Sequence, residues 1–283
     1  MNSTSPLPLA RALRRGLFAT GACAWLAMLL AGPLASSALA AAKIPSPKVY
    51  VSSLKGDSQV VSGGRVTPLT PKSSFPAQGA QIETSPQGSV AIVLSNGTGL
   101  SLHPDTQIDI KRFTQEPFVA SRTDMEREPS VSHTEIFLNR GTLAVSTSKL
   151  AAGSTFTILT ALGSIHLHGG NLVVEIDGSE VKISVLDGEG TVYGGELDLG
   201  GHVLHSGEQA IIRAGPPGHA NLVTTTRIPA GELAALQESA DTSYAARKTV
   251  LFQTDESGEI NALPVVVPSV PVQATVSPSR LPN

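Results

Sequence analysis

The chain has almost no cysteine. Cys23 is the single cysteine among 283 residues, and it lies inside an apolar N-terminal run that is typical of a segment removed during export. A mature chain without cysteine has no disulfide, no thiol nucleophile and no thiolate metal site. Disulfide-free export favours a bacterial envelope protein that is stabilised by an apolar core.

Aromatic and charged residues are also scarce, at 4% and 15% of the chain. The formal net charge is −3, and loss of three arginines near the N-terminus would make it more negative by three. No basic stripe is interleaved with aromatic residues, which argues against nucleic-acid binding. The sequence has no G-x-S-x-G nucleophile motif and no phosphate-binding strand–helix unit, so it predicts no enzyme and no cofactor.

The N-terminal segment has the three parts of a secretory signal peptide. An apolar run over residues 16–34 follows a basic region, and Ala38–Ala40 supplies the small residues of a cleavage site. The basic residues are Arg11, Arg14 and Arg15. We expect cleavage after Ala40, with Ala42 as the alternative, and therefore a periplasmic or secreted protein with no membrane span after cleavage. A retained anchor is the competing interpretation, because the run is nearly long enough to span a bilayer.

Apolar and polar residues alternate along most of the remaining chain, most clearly within residues 153–195. Val181, Ile183 and Val185 alternate with Lys182 and Ser184, which places one set on a core and the other in water if the segment is extended. Glycine pairs and Asn-Gly or Asp-Gly pairs divide the alternation, as turns require. The predicted turns are Asn96–Gly97, Gly141, Gly169–Gly170, Asp177–Gly178, Asp187–Gly188 and Gly194–Gly195. Strands at this spacing predict an all-β fold, an elongated β-roll or sandwich of many short strands.

The composition changes near the C-terminus. After Pro229, Leu233, Leu236, Ala240 and Tyr244 recur at helical spacing, and we expect one helix near residues 230–247 that packs on the β-body. The predicted organisation is a signal peptide at 1–40, an all-β domain at 41–228, a packing helix at 229–248, a short β or loop segment at 249–262 and a Pro-rich disordered tail at 263–283.

A polar stretch from Phe113 to His133 interrupts the alternation. We interpret it as an insertion between two strands, either a protruding hairpin or a loop, and loops often carry binding residues. It combines acidic and basic side chains with two apolar ones that are suited to anchor a partner. The predicted partner-binding residues are Phe118, Arg122, Met125 and Arg127, and we expect Phe118 and Arg122 to contribute most. A solvated insertion without a partner is the alternative.

His166 and His168 lie on one face of a predicted strand. Imidazole is a common metal ligand, so these two residues and a third histidine from a neighbouring strand would suit zinc or copper. The simpler interpretation is that they are exposed polar residues alternating with apolar ones. Asp177 and Asp187 would likewise suit calcium, but turn formation explains them more simply. The alternative function is therefore a metal- or glycan-binding periplasmic protein that uses the face of His166 and His168.

Several segments together resemble the FecR-type domain, in order and in spacing, over residues 49–215. They are residues 81–85 (QIETS), 88–98 (GSVAIVLSNGT), 156–163 (FTILTALG), 188–192 (GEGTV) and 206–210 (SGEQA). Gly170 and Leu172 stand where the family usually has threonine and phenylalanine. The resemblance implies an exported, non-enzymatic module that contacts an envelope protein in a signalling or structural role.

FecR itself has a cytoplasmic anti-sigma segment and a retained transmembrane helix ahead of its periplasmic domain. Only a short segment precedes the apolar run in this sequence, so we expect no sigma-factor-binding helix bundle. The resemblance therefore does not extend to iron-citrate signalling.

Overall fold

The structure is a computed structural model that describes residues 46–119, 125–194 and 200–265. The described residues contain seventeen strands and one helix. The strands of the first half are β1 Lys48–Lys55, β2 Ser58–Ser62, β3 Arg65–Pro68, β4 Ser74–Pro76, β5 Gln81–Thr84, β6 Ser89–Leu94, β7 Gly99–Leu102, β8 Gln107–Gln115 and β9 Ser132–Ser146. The remaining elements are β10 Thr155–Leu159, β11 Ser164–Asp177, β12 Glu180–Tyr193, β13 His202–His205, β14 Glu208–Arg213, β15 Leu222–Arg227, α1 Ala230–Arg247, β16 Val250–Thr254 and β17 Ile260–Pro264.

Fifteen strands form one open sheet, and β16 and β17 form a separate hairpin. The main order across the sheet is β15-β14-β12-β11-β10-β9-β7-β6-β1-β4. The sheet branches at β9, since its first half pairs with β8 and β10 and its second half with β7 and β11. Because β9 belongs to both parts, it connects the N-terminal strands to the long hairpin of β11 and β12.

Alternating side chains of these strands fill one large apolar core. On β12, Val181, Ile183 and Val185 are at most 1% exposed and belong to this core, whereas Lys182 lies on the other face. The same alternation recurs on β5, β8 and β10, whereas every residue of β3 is exposed. The predicted all-β class with one C-terminal helix is therefore confirmed.

The central strands are buried on both faces. On β6, Val90, Ile92 and Leu94 face the large core, while Ala91 and Val93 face outward and are still only 3% and 0% exposed. Helix α1 and the hairpin of β16 and β17 lie over this outer face. We call these two elements, residues 230–264, the C-terminal cover.

Two of the predicted turns are bulges inside long strands. Gly169–Gly170 lies within β11 and Asp187–Gly188 within β12, at places where the register between the two strands shifts. Gly170 has φ 113°, and a Cβ on it would lie 2.1 Å from the carbonyl oxygen of Asp187. The prediction failed because a bulge and a turn both use glycine at positive φ. The turns at Asn96–Gly97 and Asp177–Gly178 are confirmed as hairpins.

Gly141 lies inside β9 rather than at a turn. Its φ is 86°, and a Cβ there would lie 2.4 Å from Thr106 Oγ1. At this residue β9 stops pairing with β8 and begins to pair with β11, so the positive φ changes the direction of the strand without ending it. The other predicted glycine turn includes Gly195, which lies outside the described residues.

Helix α1 begins and ends at the residues expected from the sequence, but only Leu236 and Ala240 of the four predicted packing residues are buried. Leu233 and Tyr244 are 45% and 41% exposed. The buried residues are Leu236, Ser239, Ala240, Ser243, Ala246 and Arg247. Gly99 of β7 explains the small side chains, because a Cβ on Gly99 would lie 2.0 Å from the carbonyl oxygen of Ser243. The helix backbone thus rests directly on the strand.

The hairpin extends into the segment that the sequence predicts to be a disordered tail. Leu263 and Pro264 lie in β17 and pair with Leu251 and Val250. Residues 266–283, which hold the rest of that tail, and residues 1–45, which hold the predicted signal peptide, lie outside the described residues. Within the described part of the chain, no helix has both the length and the apolar character needed to cross a bilayer.

The two faces of β12 should respond differently to an added charge. Ile183→Asp would bury an unpaired carboxylate and should lower the free energy of unfolding by about 4 kcal/mol. Lys182→Asp removes the ion pair with Glu232 (Nζ–Oε2 3.1 Å) at the edge of α1, and it should cost about 1 kcal/mol. Urea unfolding followed by circular dichroism measures both. Equal losses would show that the register of β12 is wrong.

Candidate functional site: a cleft at the end of the helix

The insertion found in the sequence joins β8 to β9, and we call residues 116–131 the inserted segment. Its two ends meet, since Glu116 donates its backbone N–H to the Val131 carbonyl (2.9 Å) and Ser130 Oγ donates to the Glu116 carbonyl (2.8 Å). The sheet therefore fixes both ends of the segment. Residues 120–124 of the segment lie outside the described residues.

Glu128 anchors the inserted segment from inside. The residue is 7% exposed, and its carboxylate accepts hydrogen bonds from Ser132 Oγ, from Asn96 Nδ2 (3.4 Å) and from the backbone N–H of Ala151 (2.8 Å). Its own backbone N–H donates to the Lys149 carbonyl (3.0 Å). A buried carboxylate with several donors is compatible with a stable fold. Glu128 thus holds the segment in place, and its carboxylate faces protein donors.

Glu126 ties the same segment to the end of α1. Its carboxylate accepts a hydrogen bond from Lys248 Nζ and one from Tyr244 Oη (3.2 Å), and it lies 3.4 Å from Arg247 Nη2. The Lys248 hydrogen bond and the charge of Arg247 hold the pKa of Glu126 below its ordinary value, although burial opposes them. Since the carboxylate stays ionised, it joins the segment to the cation-rich end of the helix.

Arg247 is the most buried cation of the site, at 4% exposure. Its Nη1 donates to the Thr147 carbonyl (3.1 Å) and its Nη2 to the Met125 carbonyl (2.6 Å). Burial lowers the pKa of Arg247, and the charge of Glu126 counteracts that effect; the guanidinium remains charged because arginine is not deprotonated in proteins. Arg247 therefore joins α1, the end of β9 and the inserted segment in one contact.

A cavity of about 300 Å³ opens between these elements. Val250 and Phe252 of β16 form an apolar wall, Met125 and Arg127 line the side of the inserted segment, and Arg247 separates the cavity from a second groove. An apolar wall with charged groups at its border is typical of a protein-binding surface. The cavity volume suits one or two inserted side chains rather than a whole domain.

The four predicted partner-binding residues do not form one exposed patch. Met125 and Arg127 line the cleft, whereas Phe118 is 7% exposed and packs with Tyr50, Val93 and the hairpin. Arg122 lies outside the described residues. Phe118 is buried because the outer face of β1 and β6 is apolar and needs a cover. Its expected part in partner binding stays a prediction.

Sequence patterns alone did not identify Arg247, Val250 and Phe252 as part of the site. Arg247 and Lys248 are separated by one residue from the apolar run Val250–Phe252, and a basic helix end beside a short apolar strand is a usable signal for an interface. The pattern does not reveal its partner, because the inserted segment lies more than a hundred residues away in the sequence.

His166 and His168 are exposed on the outer face of β11, as predicted from the alternation. The His166 ring stands edge-on to Tyr193 with centroids 5.0 Å apart, and His168 Nε2 lies 3.1 Å from Thr191 Oγ1. Among the described residues, no group of three or more His, Cys, Asp or Glu is placed to hold a metal ion. The third ligand that the metal hypothesis requires is therefore not in place in this part of the chain.

Comparison with known proteins gives a family match for the centre of the sheet. Residues 80–189 match the family model described as FecR protein. Two crystal structures of candidate anti-sigma factors from Parabacteroides distasonis are similar to the chain. The first has a TM-score of 0.39 and 16% identity over 56% of this chain and 63% of that one, so the match spans less than two thirds of it. The second has a TM-score of 0.38 and 13% identity over 65% of this chain and 99% of that one. No curated protein matches.

The contacts of Glu126 should be lost in acid. A carboxyl group whose pKa is lower in the folded protein stabilises it above the unfolded pKa, near 4.3, and loses that effect as the pH falls through the folded pKa. We expect wild type to be more stable than Glu126→Gln at pH 7, and the difference to shrink as the pH falls from the unfolded pKa through the lower folded-state pKa. Urea unfolding of both proteins at several pH values measures this. A difference that is constant down to pH 3 would contradict it.

Proposed function

We propose that this chain, which carries a FecR domain over residues 80–189, is a non-enzymatic module of the bacterial envelope that acts in signalling or regulation by binding another protein. The observation that carries this proposal is the family match. The cleft supports it, because the cleft lies where the FecR domain meets segments that the family model does not cover.

The chemistry of the cleft suits a protein surface as ligand. Val250 and Phe252 form its apolar wall, and Arg127 adds a positive charge to its lining. Apolar centres with charged borders and arginine contacts are the usual features of protein interfaces. The expected partner is an envelope protein that inserts an apolar side chain beside an acidic one.

A second candidate, glycan binding, is favoured by the groove on the other side of Arg247. This groove of about 660 Å³ runs along the two glycine bulges of β11 and β12 and is lined by His168, Asn171, Asp187 and Glu189, with Tyr244 at its side. Amides, carboxylates and an aromatic ring are groups that can bind sugar hydroxyls and sugar faces. Removal of glycans from an extract before a pull-down separates this function from protein binding, because recovery of a protein partner survives the treatment.

A pull-down from envelope extract with the mature chain tests protein binding. We expect Arg127→Glu to lower the recovery of a specific partner by about tenfold, since it reverses a charge at the border of the cleft. Arg65→Glu is the matched control, because Arg65 is exposed on β3 and does not line the cleft. Equal recovery with both variants would show that the cleft is not the interface, and failure to recover any specific partner would contradict the proposed function.

Export is tested separately with the full chain. The features of residues 1–40 support a cleaved leader, so we expect the protein in the periplasmic or secreted fraction with Ala41, or alternatively Lys43, as its first residue. Mass spectrometry of the N-terminus after cell fractionation measures this, and a chain without residues 2–40 should stay in the cytoplasm. An uncleaved protein in the membrane fraction would show that the leader is an anchor.

A further inference from the structure

The outer face of the FecR domain is covered by a segment from outside the matched residues. Ala91, Val93, Gly99, Ala144 and Val173 lie within residues 80–189 and are covered by the C-terminal cover, residues 230–264. We propose that this face is a docking site for a helix of a partner protein, and that α1 occupies the site until such a helix displaces it. The inference rests on the proposed function and adds to it the mode of binding and the chemistry of the partner.

Helix α1 is held by little apolar area. Of its buried side chains, Leu236 is the one large apolar residue, and Ser239, Ser243 and Arg247 are polar. Burial of apolar surface supplies most of the free energy that docks a helix on a sheet. A helix docked by alanines, serines and one leucine is therefore held more weakly than the strands beneath it.

Polar groups under the C-terminal end of α1 are incompletely paired. Thr98 Oγ1, Ser146 Oγ, Ser148 Oγ and Arg247 Nε are buried and have no hydrogen-bond partner among the described residues. They lie close together, since Gly99 pairs with Ser146, and an added Cβ on Gly97 or Gly99 would contact Ser148 or Arg247. Buried polar groups without partners oppose docking, so this end of α1 is held less firmly than a fully paired helix end would be.

Three of the polar contacts of the cover are ion pairs at its border. Glu232 pairs with Lys182 (3.1 Å), Lys248 with Glu126, and Lys48 with Glu259 (2.9 Å). Each pair is at least partly exposed to water, where such pairs are weak and are screened by salt. Helix α1 should therefore detach before the sheet unfolds, as weakly docked elements do, whereas the hairpin is also held by Val250, Phe252 and Ile260.

The contacts of α1 define which helix the face accepts. Lys182 selects an acidic residue in the first turn, Gly99 selects small residues in the C-terminal half, and the carbonyls of Met125 and Thr147 select an arginine in the last turn. Acidic residues at the start and basic ones at the end also suit the helix dipole. The partner is thus a helix with an acidic first turn, a stripe of small residues and a C-terminal arginine. It binds in the way that an amphipathic helix lies in a groove of its partner.

The test uses the full mature chain and a fluorescent synthetic peptide of residues 229–249 as the probe. Leu236→Asp with Ala240→Asp in the chain should displace its own α1, and the peptide should then bind at least tenfold more tightly than it binds wild type. Gly99→Ala added to that variant should abolish binding, because a Cβ there collides with the helix backbone. Gly200→Ala is the control, since an added Cβ at Gly200 meets nothing within 4 Å, and it should leave binding unchanged.

Hydrogen exchange shows whether the sheet of each variant is still folded, so that a loss of peptide binding can be interpreted. In wild type, amides of α1 should exchange faster than those of β9 and β11, and added salt should increase the difference. In the displaced variant, β9 and β11 should remain protected. Two results would overturn the inference. One is that the amides of α1 exchange as slowly as those of the sheet, and the other is that a variant with a protected sheet does not bind the peptide.

The outcome also separates this inference from the proposed function. Peptide binding without recovery of an envelope partner would contradict the proposed function alone, and recovery of a partner without peptide binding would contradict the inference alone. A second copy of this chain is the other helix donor that could occupy the site, and light scattering of wild type shows whether the chain dimerises. A stable dimer whose two copies exchange α1 would show that the site takes a second copy of this chain, and that the partner helix proposed here is wrong.

Discussion

The structure depends on one constraint, which is that its central strands carry apolar side chains on both faces. β6 is the clearest example, because Val90, Ile92 and Leu94 face the core while Ala91 and Val93 face outward. A single sheet can bury only one of these faces on its own core, so the outer face needs another element of the chain. Helix α1, the hairpin of β16 and β17, and Phe118 of the inserted segment supply it.

That constraint also places the candidate site. The inserted segment and the C-terminal cover both reach the outer face, and they meet where Glu126 contacts Lys248 and where Arg247 contacts the Met125 carbonyl. The cleft is the space left between them. Its walls therefore come from two regions that are distant in sequence, one inside the FecR match and one beyond it. A surface built in this way can differ between proteins that share the same domain.

The contact between α1 and the sheet differs in kind from the contacts within the sheet. The strands are joined by continuous hydrogen-bonded ladders around a large apolar core, whereas the helix rests on a glycine, a few small side chains and a buried arginine. The difference gives the molecule a stable part and a weakly docked part. Regulatory proteins often take their moving elements from the weakly docked part.

The sequence by itself determined the all-β class, the helix limits and the inward residues of strands such as β12, because alternation and helical spacing are local patterns. It also indicated the FecR resemblance through short ordered segments. Tertiary structure alone decided that Gly169–Gly170 forms a bulge, that α1 buries Ser243 and Arg247 instead of Leu233 and Tyr244, and that Phe118 is buried. These outcomes depend on residues far away in the chain, such as Gly99 beneath the helix, and a local pattern holds no information about such contacts.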